Sequence, residues 1–269
     1  MPGPDDAVLL LRLAGPLQSW GDRSSFNRRD TRPEPTKSGV IGLLAAASGR
    51  AREEPVNDLV DLRLGVRVDQ PGTLLRDYHT VSDYRGRALP QAGVSSKGVQ
   101  KLTSPAKHTH VTTRFYLQDA VFLAAVAGSR ALLETLDEAV RHPAFPLALG
   151  RRSCVPTQPI SLGLREGTLH DVLAAERWQV TDRTRRAYGQ RSQARHWVDL
   201  SATLEDPDQG EDLVNDVPRS FDPHRRAFTS RRIRHIWLTV PTGLPAPDSA
   251  ADRNDPGDSG HDPFALLGW

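Results

Sequence analysis

Apolar and polar positions alternate along the chain in two rhythms, one of period two and one helical. Val8 to Leu13 (VLLLRL) is a short apolar run that stops at Gly15-Pro16, which predicts a buried strand. The polar stretch from Gln18 to Lys37, which holds Pro33 and Pro35, predicts loop. Ser38 then predicts a helix cap, with the helix running through Ala47 and stopped by Gly49. Val40, Ile41, Leu43 and Leu44 leave that helix mostly buried. Leu62 to Val68 (LRLGVRV) alternates apolar and basic residues, the pattern of a half-exposed strand. Thr113 to Ala127 (TRFYLQDAVFLAAVA) predicts a further strand. Ser129 predicts the cap of an amphipathic helix with Leu132, Leu133, Leu136, Ala139 and Val140 on one face, ended by His142-Pro143. Leu147 to Leu149 predicts a short strand before Gly150.

Between these elements lies Pro71 to His110, polar and Gly-rich. It exceeds the about 12–15 residues beyond which structureless connections are unusual, so it predicts a protruding hairpin or arm. The order strand, helix, strand, insertion, strand, helix, strand is the split βαβ or ferredoxin-like pattern, which RNA-recognition folds share. The expected class is therefore α+β. A ferredoxin-like, RRM-like domain is expected over residues 8–155, with a hairpin inserted at about 71–110. A small β-rich region is expected over 156–240, including the strand Ile233 to Val240 (IRHIWLTV). Residues 241–269 are Pro/Asp/Gly-rich and predict a disordered tail, although Phe264 to Trp269 is apolar enough to dock.

Composition narrows the picture. The chain has 269 residues and a net charge of +2, so basic character is local rather than global. Lys37, Lys97, Lys101 and Lys107 are the lysines; arginine supplies the rest of the positive charge. A high-GC genome produces such a bias, but the clustering says more. Arg28-Arg29, Arg151-Arg152, Arg183 to Arg195 and Arg225 to Arg234 flank the predicted strands, as a polyanion partner requires. Any one cluster alone also suits a solvated surface. The lone Cys154 excludes an internal disulfide and a cysteine-based zinc cluster. No apolar run reaches the roughly 18 residues that a membrane span needs. Met1 to Asp6 is acidic and Pro-rich, unlike a secretory signal, so cytoplasmic residence is the expectation. No cofactor fingerprint is present.

Five segments occur in order: LRLAGPLQSWG (Leu11 to Gly21), PTKSGVIGLL (Pro35 to Leu44), DYHTV (Asp77 to Val81), RFYLQDA (Arg114 to Ala120) and PLALGRRSCVP (Pro146 to Pro156). Together they resemble the CasD family of the RAMP superfamily, the type I-E CRISPR Cascade subunits, over roughly residues 8 to 240. The resemblance implies a non-catalytic, antiviral-defence protein that grips the 5′ handle of crRNA. It implies a thumb hairpin, here the 71–110 insertion, that reaches the backbone subunit CasC. CasA would pack nearby, and target DNA would meet the assembled complex.

Candidate RNA-binding residues follow. Lys37, Ser38 and Gly39 open a helix, where backbone N–H groups attract a phosphate, although Ser38 also suits a plain cap and Lys37 a solvated position. At the position of Arg114, the resemblance implies an arginine set against a flipped or kinked base. Gly150, Arg151 and Arg152 resemble the superfamily's glycine-rich loop, where the backbone approaches RNA closely. Gln18 follows the first strand, and Trp20 suits base stacking or core packing equally. Tyr78 and His79 open the insertion, placed either to touch RNA or to order the hairpin. Arg231 is a further phosphate candidate. An alternative reading is a metal-independent endoribonuclease acting on CRISPR repeat RNA, for which Tyr78, His79, Lys107 and His108 are the right residue types.

Overall fold

The computed structural model describes residues 6–21, 27–83, 108–190 and 195–244. The first half runs β1 (Asp6–Ala14), β2 (Leu17–Gln18), β3 (Arg28–Arg29), α1 (Lys37–Ala47), α2 (Asn57–Val60), β4 (Arg63–Gln70) and β5 (Thr73–Asp83). Then follow β6 (His108–Gln118), β7 (Val121–Ser129), α3 (Arg130–Arg141), β8 (Ser161–Arg165), α4 (Leu169–Ala175) and α5 (Asp182–Gly189). The chain closes with β9 (Trp197–Glu205), β10 (Asp212–Ser220) and β11 (Ala227–Pro241).

Seven strands form one antiparallel sheet in the order β10-β11-β9-β4-β7-β1-β8. β7 shows why its sequence is a continuous apolar run. Phe122, Ala124 and Val126 enter the core under α1 and α3, while Leu123, Ala125 and Ala127 enter a second core with α4 and Trp178. A strand covered on both faces has no need of polar positions. A smaller sheet is built on β6, which carries β5 along one edge and β2 and β3 along the other. β5 lies in the expected 71–110 insertion, but its partner arm β6 runs on from His108 to Gln118, past the expected end; the centre, including Lys107, lies outside the described residues. So does the tail from residue 245.

The structure corrects several local expectations. Thr36, not Ser38, caps α1: its Oγ1 accepts the Gly39 N–H at 3.2 Å. At the other end Gly49, at φ 76°, completes a left-handed stop, with its N–H on the Ala46 carbonyl and that of Arg50 on the Ala45 carbonyl. The apolar segment from Thr113 to Ala127 is two strands in two sheets. The break is Asp119, at φ 56°, whose N–H reaches the Pro16 carbonyl at 3.1 Å. Aspartate tolerates this left-handed conformation better than most residues. Leu147 to Leu149 does not form a strand; the segment is held by Ser19 donating to the Leu149 carbonyl and Leu149 to that of Cys154. The stretch beyond Pro156 contains helices α4 and α5 as well as strands, and β9 pairs with β4, so its strands extend the main sheet. The polar 18–37 stretch contributes the tip of β2 and all of β3.

β4 is not half-exposed. It lies between β7 and β9, and Arg67 is fully buried against Asp69. The Arg67 guanidinium also meets the carbonyls of Leu173, Glu176 and Arg177, which close the C-terminal end of α4. Among the described residues no helix is long and apolar enough to cross a membrane.

Candidate nucleic-acid interface

The start of α1 is already occupied by the protein's own anion. The Lys37 N–H donates to Asp216 Oδ2 at 2.7 Å, and Arg231 grips the same carboxylate through Nε at 2.7 Å and a second nitrogen at 3.0 Å. Lys37 Nζ pairs with Glu205 Oε1 at 2.8 Å, and Glu205 Oε2 lies 3.5 Å from Arg231. Burial works against the Arg231 charge, but Asp216 and Glu205 outweigh it and hold its pKa above the ordinary arginine value. These four charges lock α1 onto β9, β10 and β11. The phosphate expected at Lys37, Ser38 and Gly39 would have to displace a buried, doubly held carboxylate. Lys37 and Arg231 are buried, and their geometry is that of a structural clamp; Ser38, buried and hydrogen-bonded to Thr36, lines the neighbouring cleft with Gly39.

Gln18 and Trp20 are structural in the same way. The Gln18 amide donates to the carbonyls of Leu13 at 3.0 Å and Ala120 at 2.7 Å, and its oxygen accepts Trp20 Nε1 at 3.1 Å. Trp20 is 1 % exposed and lies against α1; a Cβ on Gly39 would come within 2.6 Å of its ring. Gly39 is thus the space that lets the tryptophan pack, and Trp20 has no free face for a base.

The glycine loop makes the close approach its sequence suggested, but toward the protein. Gly150 sits at φ 90°, and a Cβ there would lie 1.8 Å from the Ser19 carbonyl oxygen. Arg151 fastens the loop, donating to the carbonyls of Phe115 at 3.0 Å and Arg29 at 2.7 Å, with its guanidinium 4.7 Å from the Tyr116 ring centre. Beside it, Arg28 lies 5.0 Å from the Phe115 ring. Arg114 is in register with Arg29 across β6 and β3, half-buried, with Nε 3.3 Å from Thr112 Oγ1. Arg29, Arg114 and Arg151 therefore meet on one ridge. We expect Gly150→Ala to lower stability by about 2 kcal/mol or more, since positive φ alone costs a non-glycine residue about 1–2 kcal/mol. Gly42→Ala is the control: it lies inside α1, where the nearest atom to a new Cβ is 3.6 Å away. Denaturant unfolding of the two variants checks the contrast.

On one side of that ridge opens a cleft of about 1080 Å³. Its walls carry Arg29, Arg50, Arg52, Arg151, Arg152 and Arg226, interleaved with Phe145, Phe221 and Phe228. Glu53 is the one carboxylate among the described lining residues. Arg50 is neutralised by Asp58 in a two-point pair. Among the described residues no carboxylate stands within ion-pair distance of Arg29, Arg52, Arg152 or Arg226. Arg226 lies 5.1 Å over the Phe228 ring. Burial, then the charges of Arg52 and Arg29, depress its pKa. Like charges concentrated without counter-charges store repulsion that a bound polyanion relieves.

Sequence reasoning marked Arg151 and Arg152, and held Arg29 and Arg226 only as members of basic clusters; it missed Arg52, Phe145 and Phe221. They come from separate segments that only the fold brings together, and Arg52 is followed by two glutamates that make it look solvated. Arg114 does not line the cleft. Tyr78 is exposed and His79 half-exposed on β5, but as neighbours on a strand they face opposite sides, opposite Thr113 and Thr112 respectively. They cannot act together on one phosphate. Cys154 is buried, and burial pushes its thiol pKa up, the reverse of nucleophile activation.

A family model described as CRISPR-associated protein (Cas_Cas5) matches residues 8–234. The chain belongs to the Cas5 family of CRISPR-associated proteins. A curated relative, the CRISPR system Cascade subunit CasD of Escherichia coli (strain K12), is 35 % identical over 175 residues, covering 58 % of this chain and 70 % of that protein. Two solved structures are similar. A chain of a CRISPR RNA-guided surveillance complex gives a TM-score of 0.66 at 36 % identity, covering 87 % of this chain and 91 % of that one. A crystal structure of a Cas protein gives 0.63 at 40 % identity, covering 88 % and 100 %.

Proposed function

We propose that this chain is the CasD-type subunit of a type I-E CRISPR Cascade complex, holding the 5′ handle of crRNA without cutting it. The observation that carries the reading is the cleft beside the Gly150 loop, where unneutralised arginines alternate with aromatic rings. Guanidinium groups meet phosphates and stack on bases, and phenylalanine faces accept unpaired bases. The fold supports it too. β8-β1-β7-β4, with α1 and α3 on one face, is the strand order of a ferredoxin-like domain, and the paired arms β5 and β6 are the base of a thumb hairpin. In this reading residues 8–155 form the RNA-gripping domain with its insertion at 71–110. Residues 156–240 buttress it, and 241–269 are a tail. The thumb caps the CasC backbone, CasA packs nearby, and target DNA is met only in the assembled complex, in the cytoplasm.

Of the residues proposed for RNA, Gly150, Arg151, Arg152 and Arg114 lie on the ridge and cleft, where Arg29 joins them, with Tyr78 and His79 on the hairpin. Gln18, Trp20, Lys37, Ser38, Gly39 and Arg231 build the floor beneath. The test is a labelled CRISPR repeat RNA incubated with the protein in EDTA, the sample split between native and denaturing gels. A shifted, intact RNA is the expected result. A discrete cut within the repeat would overturn the holding role.

A further inference from the structure

The last part of β11 has no neighbour on its outer side. β10 pairs with it only as far as Ile233, whereas β9 pairs with it through Pro241. The bond from the Thr242 N–H to the His196 carbonyl sets the phase of the β9 ladder. Even-numbered residues of β11 direct their backbone groups at β9, so Trp237 and Thr239 direct theirs outward. Among the described residues no backbone group bonds to them there. The opening ends at Pro241, which has no N–H and whose carbonyl accepts the Trp178 N–H at 2.9 Å.

The α1 face of this corner is bare as well. Lys37 covers Glu205 and Glu34 covers Thr203. The next pairs along are Trp237 with Ser201, Thr239 with Asp199 and Pro241 with Trp197, so Trp237 and Trp197 share that face, 60 % and 57 % exposed. On the opposite face Ile236 is half-buried at the same margin. An open edge between two apolar surfaces is a template for one more strand.

We propose that the strand it takes is this chain's own segment 264–269 (FALLGW), laid along Trp237 and Thr239. The match is first one of side chains. An extended FALLGW puts Phe264 and Leu266 on one side and Leu267 and Trp269 on the other, apolar both ways, as the edge is. Reach is the second support. The described chain arrives at Leu244, just past β11, and a connection as long as residues 245–262 spans up to roughly 60 Å, against roughly 13 Å from Pro241 back to Trp237. The tether gives the segment a local concentration of about millimolar, ahead of any free partner. Charge is the third. The connection carries Asp248, Asp252, Asp255, Asp258 and Asp262 against Arg253. It departs beside Arg177, whose Cδ would lie 3.8 Å from a Cβ on Gly243, and Leu244 lies against Gly189 at the end of α5. Arg177, and Arg183 and Arg186 of α5, are exposed and have no carboxylate within ion-pair distance among the described residues. The added strand closes an edge that would otherwise pair with other chains.

The experiment follows amide hydrogen exchange in the full chain by NMR, at several protein concentrations, beside the variant Leu266→Asp/Leu267→Asp. The Trp237 and Thr239 amides are expected to exchange about tenfold faster in the variant, while the inward amides of Ile236 and Leu238 keep their rates. A synthetic peptide of residues 261–269 added to the variant is expected to restore the protection. Trp237→Ser, at an exposed position outside both cores, is expected to reproduce the loss at Thr239. Equal rates at Trp237 and Thr239 in the wild type and in Leu266→Asp/Leu267→Asp, whether fast or slow, overturn the proposal. Protection that grows with protein concentration assigns the edge to a second copy of the chain and overturns it equally.

Discussion

Arg67→Ala is expected to cost about 3–5 kcal/mol of stability, the range for leaving one partner of a buried ion pair alone. Arg67 and Asp69 are both fully buried, joined by two bonds of 2.7 and 2.8 Å. The remaining guanidinium donors go to the ends of α4 and the chain after it, at the carbonyls of Leu173, Glu176 (2.6 Å) and Arg177 (3.0 Å). Alanine would strand the Asp69 carboxylate away from water, where its other ligand is the Gln179 N–H at 2.5 Å. It would also take the donor from the buried Leu173 carbonyl and from the part-buried carbonyls of Glu176 and Arg177. Equilibrium unfolding in urea reads the loss as a lower midpoint at unchanged slope. The double change Arg67→Met with Asp69→Leu should recover part of it, because the stranded charge is gone, but not all, because the carbonyls stay unpaired.

The second large effect lies in the cleft and has the opposite signature. Replacing Arg29, Arg52 and Arg226 together by alanine is expected to weaken 5′-tag RNA binding by about a thousandfold, taking about 1.4 kcal/mol for each lost charge-assisted contact. The salt dependence should fall by about two units of log–log slope, at about 0.7 per phosphate released from a single strand. Stability should hold or rise. Arg226 is desolvated and repelled by the other two, so removing them relieves a cost in the free protein. Arg231→Ala makes the contrast. Its partners are Asp216 and Glu205 rather than a ligand, so it is expected to damage folding first.

The pattern of the sequence revealed the elements more readily than the site, for physical reasons that differ residue by residue. Val8 to Leu13 was legible as an apolar run buried on both faces, and the face of α3 through Leu133, Leu136 and Val140 as helical periodicity. Arg67 was not, because an arginine between apolar neighbours looks solvent-facing until Asp69 and the α4 carbonyls arrive from distant positions. The break at Asp119 was hidden by apolar residues on both sides, which belong to different sheets. At the site, the Thr36-Lys37-Ser38-Gly39 start of α1 has the chemistry of an anion cradle, and it is one. The anion is Asp216, from 179 residues further along, which no local reading finds. Gly150 was singled out for close backbone approach, and the close neighbour is Ser19. The cleft itself joins segments near 29, 52, 145, 221 and 226, each unremarkable alone; clusters of arginine were the only trace of it in the sequence.

The central claim is that the arginine–aromatic cleft is where RNA lies. The most direct measurement is photocrosslinking of 4-thiouridine-substituted 5′-tag RNA to the full chain, with the attached peptides identified by mass spectrometry. The account predicts crosslinks on the segments that carry Phe145, Phe221 and Phe228, lost on competition with unlabelled tag RNA. Crosslinks confined to surfaces outside the cleft, such as the far arm of β5 or the α4 and α5 side of the sheet, would contradict it.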